Sequence, residues 1–369
     1  MTESLCIAHG GDVSDPSGGT DRVSAIVGGL QDKGFDVSLV VPEPEGTLPD
    51  KLDDVSVHPV STGAPVGGSL ARAASVTRTA KRVANRRGAR LQLEHSTFAG
   101  VATLLGISDY VLDMHDLGYA RFDHVDTPLA PALKRGVHWL ERRAVRTASD
   151  IVVVSEYMRS ALADWNVPPS AVTVVPNGFF PERIASARDV STVEGRVCFL
   201  GTLHPKVDVE AFERIASLSS VSELVVVGDG ALRDRVDSLA ERHDSVRAPG
   251  RLPDNEAFEL LASAAVAVNP QTQSELQRSS SPVKLYYYAA LGLPMVVAPG
   301  PTVVDELVER DAAVAASGSE AVAEAVDGLL SDDERRANVG VNARDASEAF
   351  RWVRRVDMFE AIYRNTNEA

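Results

Sequence analysis

The chain has 369 residues, 44% of them hydrophobic, and a formal net charge of −15. That length exceeds what one hydrophobic core organises, so two domains are expected, and no stretch stays apolar long enough to cross a bilayer. The acidic balance argues against nucleic acid as a partner, and the two cysteines, Cys6 and Cys198, each inside an apolar run, exclude a disulfide framework and read as small buried hydrophobes.

The basic residues are overwhelmingly Arg, with very few Lys, a balance that looks like the surface of a protein from a salt-loving organism. Two segments depart from the acidic background: Arg72 to Arg90 has no acidic residue, and Leu133 to Arg146 has only Glu141. Either these are solvated helix faces, or they attract anionic lipid headgroups or a phosphate-bearing acceptor. The start, MTESLCIAHGG, lacks the basic residues and apolar core of a signal peptide. A soluble, cytoplasmic protein is expected, peripheral to a membrane if the basic segments bind one.

The first half alternates strand and helix, the pattern of a parallel sheet covered on both faces. Ser4 to Ala8 reads as a strand, Thr20 to Lys33 as a helix with Val23, Ile26, Val27 and Leu30 on one face, and Val37 to Val41 as the next strand. A basic helix around Ala71 to Ala84 and a strand at Arg90 to Leu93 follow, then loops carrying Glu94-His95 and His115-Asp116. Ile151 to Val154 is an apolar strand ending at Ser155, which caps a helix from Tyr157 to Trp165; Val172 to Val175 is the last strand of this half. Pro176-Asn177-Gly178 is its exit, and residues 179–195 read as a polar linker.

The rhythm then restarts. Strands are expected at Arg196 to Leu200, Glu223 to Val227, before Pro249-Gly250, and at Ala265 to Asn269; helices at Asp208 to Leu218, Leu232 to His243, Asn255 to Ala262 and around Ser319 to Leu330. SPVKLYYYAALGLPMVV (Ser281 to Val297) combines Pro282 at a helix start, helical spacing of Leu285, Tyr288, Ala289 and Leu291, and a stop at Gly292 before an apolar strand. Residues 346–369, with Phe350, Trp352, Met358, Phe359 and Tyr363, read as one long helix packing back on the N-terminal domain. The expected domains are 1–178 and 196–345.

Chemistry collects at the carboxyl ends of such strands, where loops meet helix N-termini. Gly18 and Gly19, before the first helix, let backbone amides approach an anion. His115 follows the apolar run VLDM, and Glu94 and His95 hold an equivalent strand end. Lys206 and Lys284, two of the few lysines, both lie at strand ends, where positive charge would meet an anion.

SPVKLYYYAALGLPMVV resembles the signature SPxKLxEYxAxGxPVV of glycosyltransferases with two Rossmann-like domains, the GT-B architecture, and of glycosyltransferase family 4 in particular. VVVSEYM, VVPNGF, FLGTLHPKVDVEAF, VVVGDG and APGRLPDNEAFELL are similar to further family segments, in the same order. The resemblance implies an α/β fold of two doubly wound parallel sheets facing across a cleft. It further implies retaining transfer of a sugar from a nucleotide-sugar donor to a hydroxyl acceptor, plausibly lipid-linked or a nascent glycan, with no metal or other cofactor. His115 would contact the transferred sugar, Lys206 and Lys284 would neutralise the leaving diphosphate, and Glu94 and His95 would face the acceptor. Gly18, Gly19, Thr202, Arg251, Leu252, Ser281, Val283 and Tyr287 would line the donor.

Two family positions differ. Thr202 stands where the family has Arg, and Tyr287 where it has the Glu that holds the donor ribose. These departures leave open a GT-B protein that has lost catalysis and serves as a binding or partner subunit. A sugar-nucleotide epimerase on the same fold needs acidic and histidine groups around the anomeric centre that the sequence does not place.

Overall fold

In the computed structural model, residues 3–15, 17–61 and 68–365 are described. The chain forms two compact units: Met1–Asn177 with Ser279–Ser281 and Trp352–Ala369, and Gly178–Arg278 with Pro282–Arg351.

In the first unit the order is β1 (Ser4–Ala8), α1 (Gly18–Asp32), β2 (Asp36–Pro42), β3 (Ser56–Val60), α2 (Gly68–Arg87), β4 (Arg90–Glu94), α3 (Ser96–Leu104), β5 (Val111–Met114), α4 (Ala130–Thr147), β6 (Asp150–Val153), α5 (Glu156–Ala163) and β7 (Val172–Val174). All seven strands are parallel, in the order β3-β2-β1-β4-β5-β6-β7. The cause is local. The central strands β1, β4 and β5 are short and buried on both faces, mostly by Leu, Ile and Val with a few polar side chains, which only a sheet covered by helices on each side accommodates. Helix α1 starts where Ser17 accepts the Thr20 amide and ends at Gly34, at φ 87°, with Phe35 N donating to Leu30 O.

The second unit continues with β8 (Arg196–Leu200), α6 (Val209–Ala216), β9 (Glu223–Val227), α7 (Arg233–Arg242), β10 (Val246–Gly250), α8 (Asp254–Ala262), β11 (Val266–Asn269), α9 (Glu275–Arg278), α10 (Val283–Ala290), β12 (Met295–Val297), α11 (Thr302–Glu309), β13 (Val314–Ala315), α12 (Ser319–Leu330) and α13 (Asp333–Ser347). Its six strands are again parallel, in the order β10-β9-β8-β11-β12-β13. Gly292, at φ 68°, stops α10 as its sequence position implies, with Leu293 N returning to Tyr288 O. The last helix, α14 (Trp352–Asn365), belongs to the first unit, where Val356 closes on Gly29 of α1 and Phe359 and Tyr363 join the core.

Three stretches differ from the sequence expectation. Residues 179–195 are not simply a polar linker: Pro181–Ala187 forms a 3-10 turn whose Ile184 and Ala187 are buried in the second unit's core. The terminal run is not one helix from residue 346: Ala346 and Ser347 close α13, a 3-10 turn follows at Glu348–Phe350, and α14 begins at Trp352, with residues 366–369 outside the described ones. Arg351, extended at φ −63° and ψ 140°, breaks the chain before α14. Periodicity did not reveal β3, an edge strand with no fully buried residue and a proline.

Candidate active site

In both sheets the strand order reverses beside the first strand of the unit, between β1 and β4 and between β8 and β11. The crevice outside the carboxyl ends of the strands at such a point is where doubly wound folds bind ligands.

In the first unit this point gathers three imidazoles. His9 follows β1, His95 follows β4 and His115 follows β5. The His95 ring lies 4.1 Å from that of His115 and 5.9 Å from that of His9. Glu94, fully buried, stands between two of them, with Oε2 2.8 Å from His115 Nε2 and 3.8 Å from His9 Nδ1. Gln92 fixes the other oxygen, donating from Nε2 to Oε1 at 2.7 Å, and Tyr363 of α14 in turn donates to Gln92.

Burial alone would discharge this cluster, yet the charges decide otherwise. For His115, desolvation is outweighed by the charge of Glu94 and by the hydrogen bond and charge of Asp113, which hold the imidazole up at about 9. Glu94 resists its own burial through His115 and then His9, and stays well below the usual carboxylate range. His95 is pushed well down, first by burial and then by the neighbouring charge of His115, so it is a neutral ring beside a cationic one. Its backbone, at φ 69° and ψ 130°, lies where side chains cost about 1–3 kcal/mol.

Beneath the imidazoles lies a pair that the sequence reading did not single out. Arg22 of α1 and Asp113 of β5 are both fully buried, joined by Nε to Oδ2 at 2.8 Å and Nη2 to Oδ1 at 2.7 Å. The remaining Arg22 nitrogen donates to Val175 O and Asn177 Oδ1. An aspartate in the middle of an apolar strand was the available signal, because a buried carboxylate demands a cation.

Glu94, Asp113 and His115 are, among the described residues, the one group close enough together to hold a metal ion. The donor set fits a metal poorly: both Asp113 oxygens already receive Arg22, and His115 lies 2.8 Å from the Glu94 oxygen it would have to share.

Gly18 and Gly19 form the first turn of α1, and a Cβ on Gly19 would stand 3.8 Å from Ser17 Oγ, in ordinary contact. The glycine that the packing requires is Gly11, whose Cβ would fall 2.8 Å from His9 Nε2. Asp116 turns to Arg121, 2.6 Å away, and so fastens its own loop. A second missed residue is Glu141 of α4, a buried carboxyl raised to about 7 chiefly by desolvation.

In the second unit Lys284, on the first turn of α10, reaches the end of β8. Its Nζ sits 3.9 Å from the centre of the Phe199 ring, beside Gly201 at φ 137°. Among the described residues no carboxylate pairs with it. Burial and then the nearby charge of Lys206 pull it down to about 7. Lys206 lies in the loop after β8, tied down by Thr272 N donating to its carbonyl and by the bridge between Val207 and Gln271. The charge of Lys206 thus reaches Lys284 at this strand end.

The other expected donor residues are more dispersed. Thr202 is exposed on the loop after β8, while Arg251, exposed, and Leu252, partly buried, follow β10. Val283 opens α10 and packs on the core of the second unit. Ser281 belongs to the first unit, where its Oγ accepts the Asn177 amide at 3.0 Å and its carbonyl accepts Asn177 Nδ2 at 2.8 Å. Tyr287 is buried, with its ring 4.7 Å from that of Phe258 and its hydroxyl 3.3 Å from Arg183 Nη1; Arg183 also pairs with Asp254.

Two doubly wound parallel-sheet units, each with its polar groups at the strand-order reversal, define the GT-B class of glycosyltransferases. The chain belongs to the group 1 glycosyltransferases: residues 17–178 match the glycosyl transferase 4-like domain and residues 194–332 the domain of glycosyl transferases group 1. An alpha-maltose-1-phosphate synthase of Mycolicibacterium smegmatis is 26% identical over 369 aligned positions, covering 86% of this chain and 92% of that protein. Among solved structures, a sucrose-phosphate synthase from Thermosynechococcus elongatus superposes with a TM-score of 0.80 at 17% identity, covering 99% of both chains. Anabaena Alr3699/HepE, in complex with UDP and glucose, gives 0.70 at 19% identity, over 97% of this chain and 99% of that one. At these identities the solved structures speak for the shared fold.

Proposed function

We propose that this glycosyltransferase moves a sugar from a nucleoside diphosphate sugar to a hydroxyl acceptor, with retention at the anomeric carbon and without a metal. The observation that carries the reading is Lys284, a buried lysine with no carboxylate paired to it among the described residues, near the charge of Lys206 at the end of β8. Such a place is costly to build unless an anion completes it.

In this reading Lys284, Lys206 and the first amides of α10 stabilise the diphosphate as its bond to the sugar breaks. A diphosphate oxygen takes the proton of the incoming hydroxyl as the new glycosidic bond forms on the same face. Backbone at Arg251 and Leu252 meets the base, and the amides of Gly18 and Gly19 approach the diphosphate. On the first unit, protonated His115 donates to the sugar while neutral His95 accepts from the acceptor hydroxyl. Glu94, wholly buried, sets the charge of His115. The Tyr287 hydroxyl oxygen accepts from Arg183 Nη1, and in this reading other groups hold the ribose.

A lipid-linked acceptor at an anionic membrane surface is supported by α4. Leu129, just before it, is 67% exposed, and Leu133 and Trp139 are 48% and 52% exposed. Arg135, Arg143 and Arg146 are exposed on the same helix, whose acid, Glu141, is buried.

The test is a screen of UDP-, ADP- and GDP-sugars for released nucleoside diphosphate, with and without chelator, and the product's anomeric configuration read by NMR. Release that survives the chelator and gives a retained product is expected. Tight nucleoside diphosphate binding with no turnover on any donor would favour a binding subunit instead.

A further inference from the structure

The acid buried within the basic helix α4 has no part in the chemistry just described, yet it touches both loops that carry it. Glu141 Oε1 accepts from Ser96 Oγ and from Gly118 N at 2.8 Å, and Oε2 accepts from Tyr119 N at 3.3 Å. Ser96 directly follows His95. Gly118 and Tyr119 lie in the loop that begins at His115. One carboxylate on a third element therefore joins the end of β4 to the end of β5.

Two packing facts show that this position is built rather than incidental. A Cβ on Gly118 would fall 2.8 Å from Glu141 Oε1 and 3.0 Å from Thr97 Oγ1, so a side chain there would have to displace the carboxylate from its donors. On α3, a Cβ on Gly100 would fall 2.7 Å from Leu140 Cβ, so α3 and α4 are in close backbone contact one residue from Glu141. The height of the carboxylate beneath the two loops is thereby fixed. His95, in the left-handed half of backbone space at φ 69°, needs such a restraint, and the Ser96 hydroxyl bound to Glu141 supplies it at the very next residue.

We infer that Glu141 is a positioning residue for sugar transfer, locking the His95 and His115 loops in one relative arrangement through Ser96, Gly118 and Tyr119. It rests on the reading of His95 and His115 as groups that face the sugar and the acceptor. A purely apolar residue at this place would fill the space but leave three donors unsatisfied and the loops independent.

The experiment is a double-mutant cycle on the full chain, using the nucleotide sugar that turns over in the donor screen and UDP and ADP as binding probes. Ser96→Ala removes one of the three donors and leaves the core intact, so it reports even where Glu141→Ala fails to fold. Ser96→Ala and Glu141→Gln are expected to lower kcat about tenfold, with donor KM and nucleoside diphosphate affinity within about twofold, because misplacement of catalytic groups is felt in turnover. Ser96→Thr, which keeps the hydroxyl, restores the rate. In a His95→Ala background the further loss from Ser96→Ala shrinks to less than about twofold. Wild-type kcat in Ser96→Ala, or the same loss repeated in the His95→Ala background, would overturn the role of Glu141. Undiminished transfer by His115→Ala and His95→Ala would instead overturn the placement of the site on which it rests.

Discussion

A Cβ on Gly201 would fall 2.6 Å from Lys284 Nζ, so any side chain at the residue after β8 would push the amine of Lys284, in the first turn of α10, from its place. The backbone there is at φ 137°, a value that disfavours any side chain. The pocket left beside Gly201 is what lets the amine lie over Phe199 with no counter-charge.

Lys284→Ala should therefore depress sugar transfer by about two to three orders of magnitude, the scale for removing one group that stabilises a developing anion. Gly201→Ala, which displaces the amine without removing it, should fall between this variant and the wild type. A second signature comes from charge. Lys284 is held down at about 7 in the free protein, and a bound diphosphate would raise it again. Binding of UDP or ADP at pH 8.5, where the diphosphate is already ionised, should take up a substantial fraction of a proton. Calorimetry in two buffers of different ionisation enthalpy measures this directly; zero uptake at pH 8.5 would remove Lys284 from the diphosphate.

His115 and Glu94 give a pH signature of stability. The imidazole gains a proton on folding, so its contribution is complete below its unfolded value near 6.5 and is lost as the pH rises through about 9. Glu94 is shifted the other way, and its contribution is present above about 4.5 and lost as the pH falls through its depressed value. The melting temperature of the wild type should fall between pH 6.5 and 9 by more than that of His115→Gln. A parallel fall in both proteins would show that His115 is not charged in the fold.

The doubly wound architecture was legible because buried parallel strands are continuous Val, Leu and Ile runs, and because Gly34 and Gly292 stop helices as glycines do. Lys206 and Lys284 stood out by their rarity together with their places in strand-end motifs. The sequence hid what depends on distant partners. His9 and Glu141 acquire meaning only when the strand order brings β1 beside β4 and α4 beneath both loops. Ser281 looked like a phosphate ligand because of the helix after it, but its hydroxyl oxygen accepts the amide of Asn177, a partner 104 residues away.

Arg22 and Asp113 form a fully buried pair, and breaking one side leaves the other charge stranded. Arg22→Met should cost about 3–5 kcal/mol. Adding Asp113→Leu should recover part of that loss, because no stranded charge remains. Urea unfolding of the three variants checks the order, and a double variant less stable than Arg22→Met alone would contradict it.

Tyr287 places its ring against Phe258 and its hydroxyl oxygen accepts from Arg183 Nη1, and under the proposed function it packs rather than binds the donor. Tyr287→Phe should keep turnover within about twofold and cost about 1 kcal/mol of stability for the lost hydrogen bond. Tyr287→Glu should place a carboxylate against Arg183, in competition with Asp254, without tightening UDP or ADP binding. A gain in nucleotide affinity in Tyr287→Glu would show that the position still reaches the ribose.

The exposed face of α4 decides the membrane reading. Trp139 carries Arg143 over its ring at 5.2 Å, an aromatic and a cation set side by side as lipid headgroups favour. If the helix lies on anionic lipid, phosphatidylglycerol vesicles should sediment with the wild type, and Leu133→Ser with Trp139→Ser should abolish this even at high salt. Removing Arg135, Arg143 and Arg146 should weaken binding mainly at low salt, because screening already suppresses that attraction when salt is high. The two losses separate insertion from attraction. Equal sedimentation of all these proteins, or none of the wild type at either salt, would leave α4 as a solvated face.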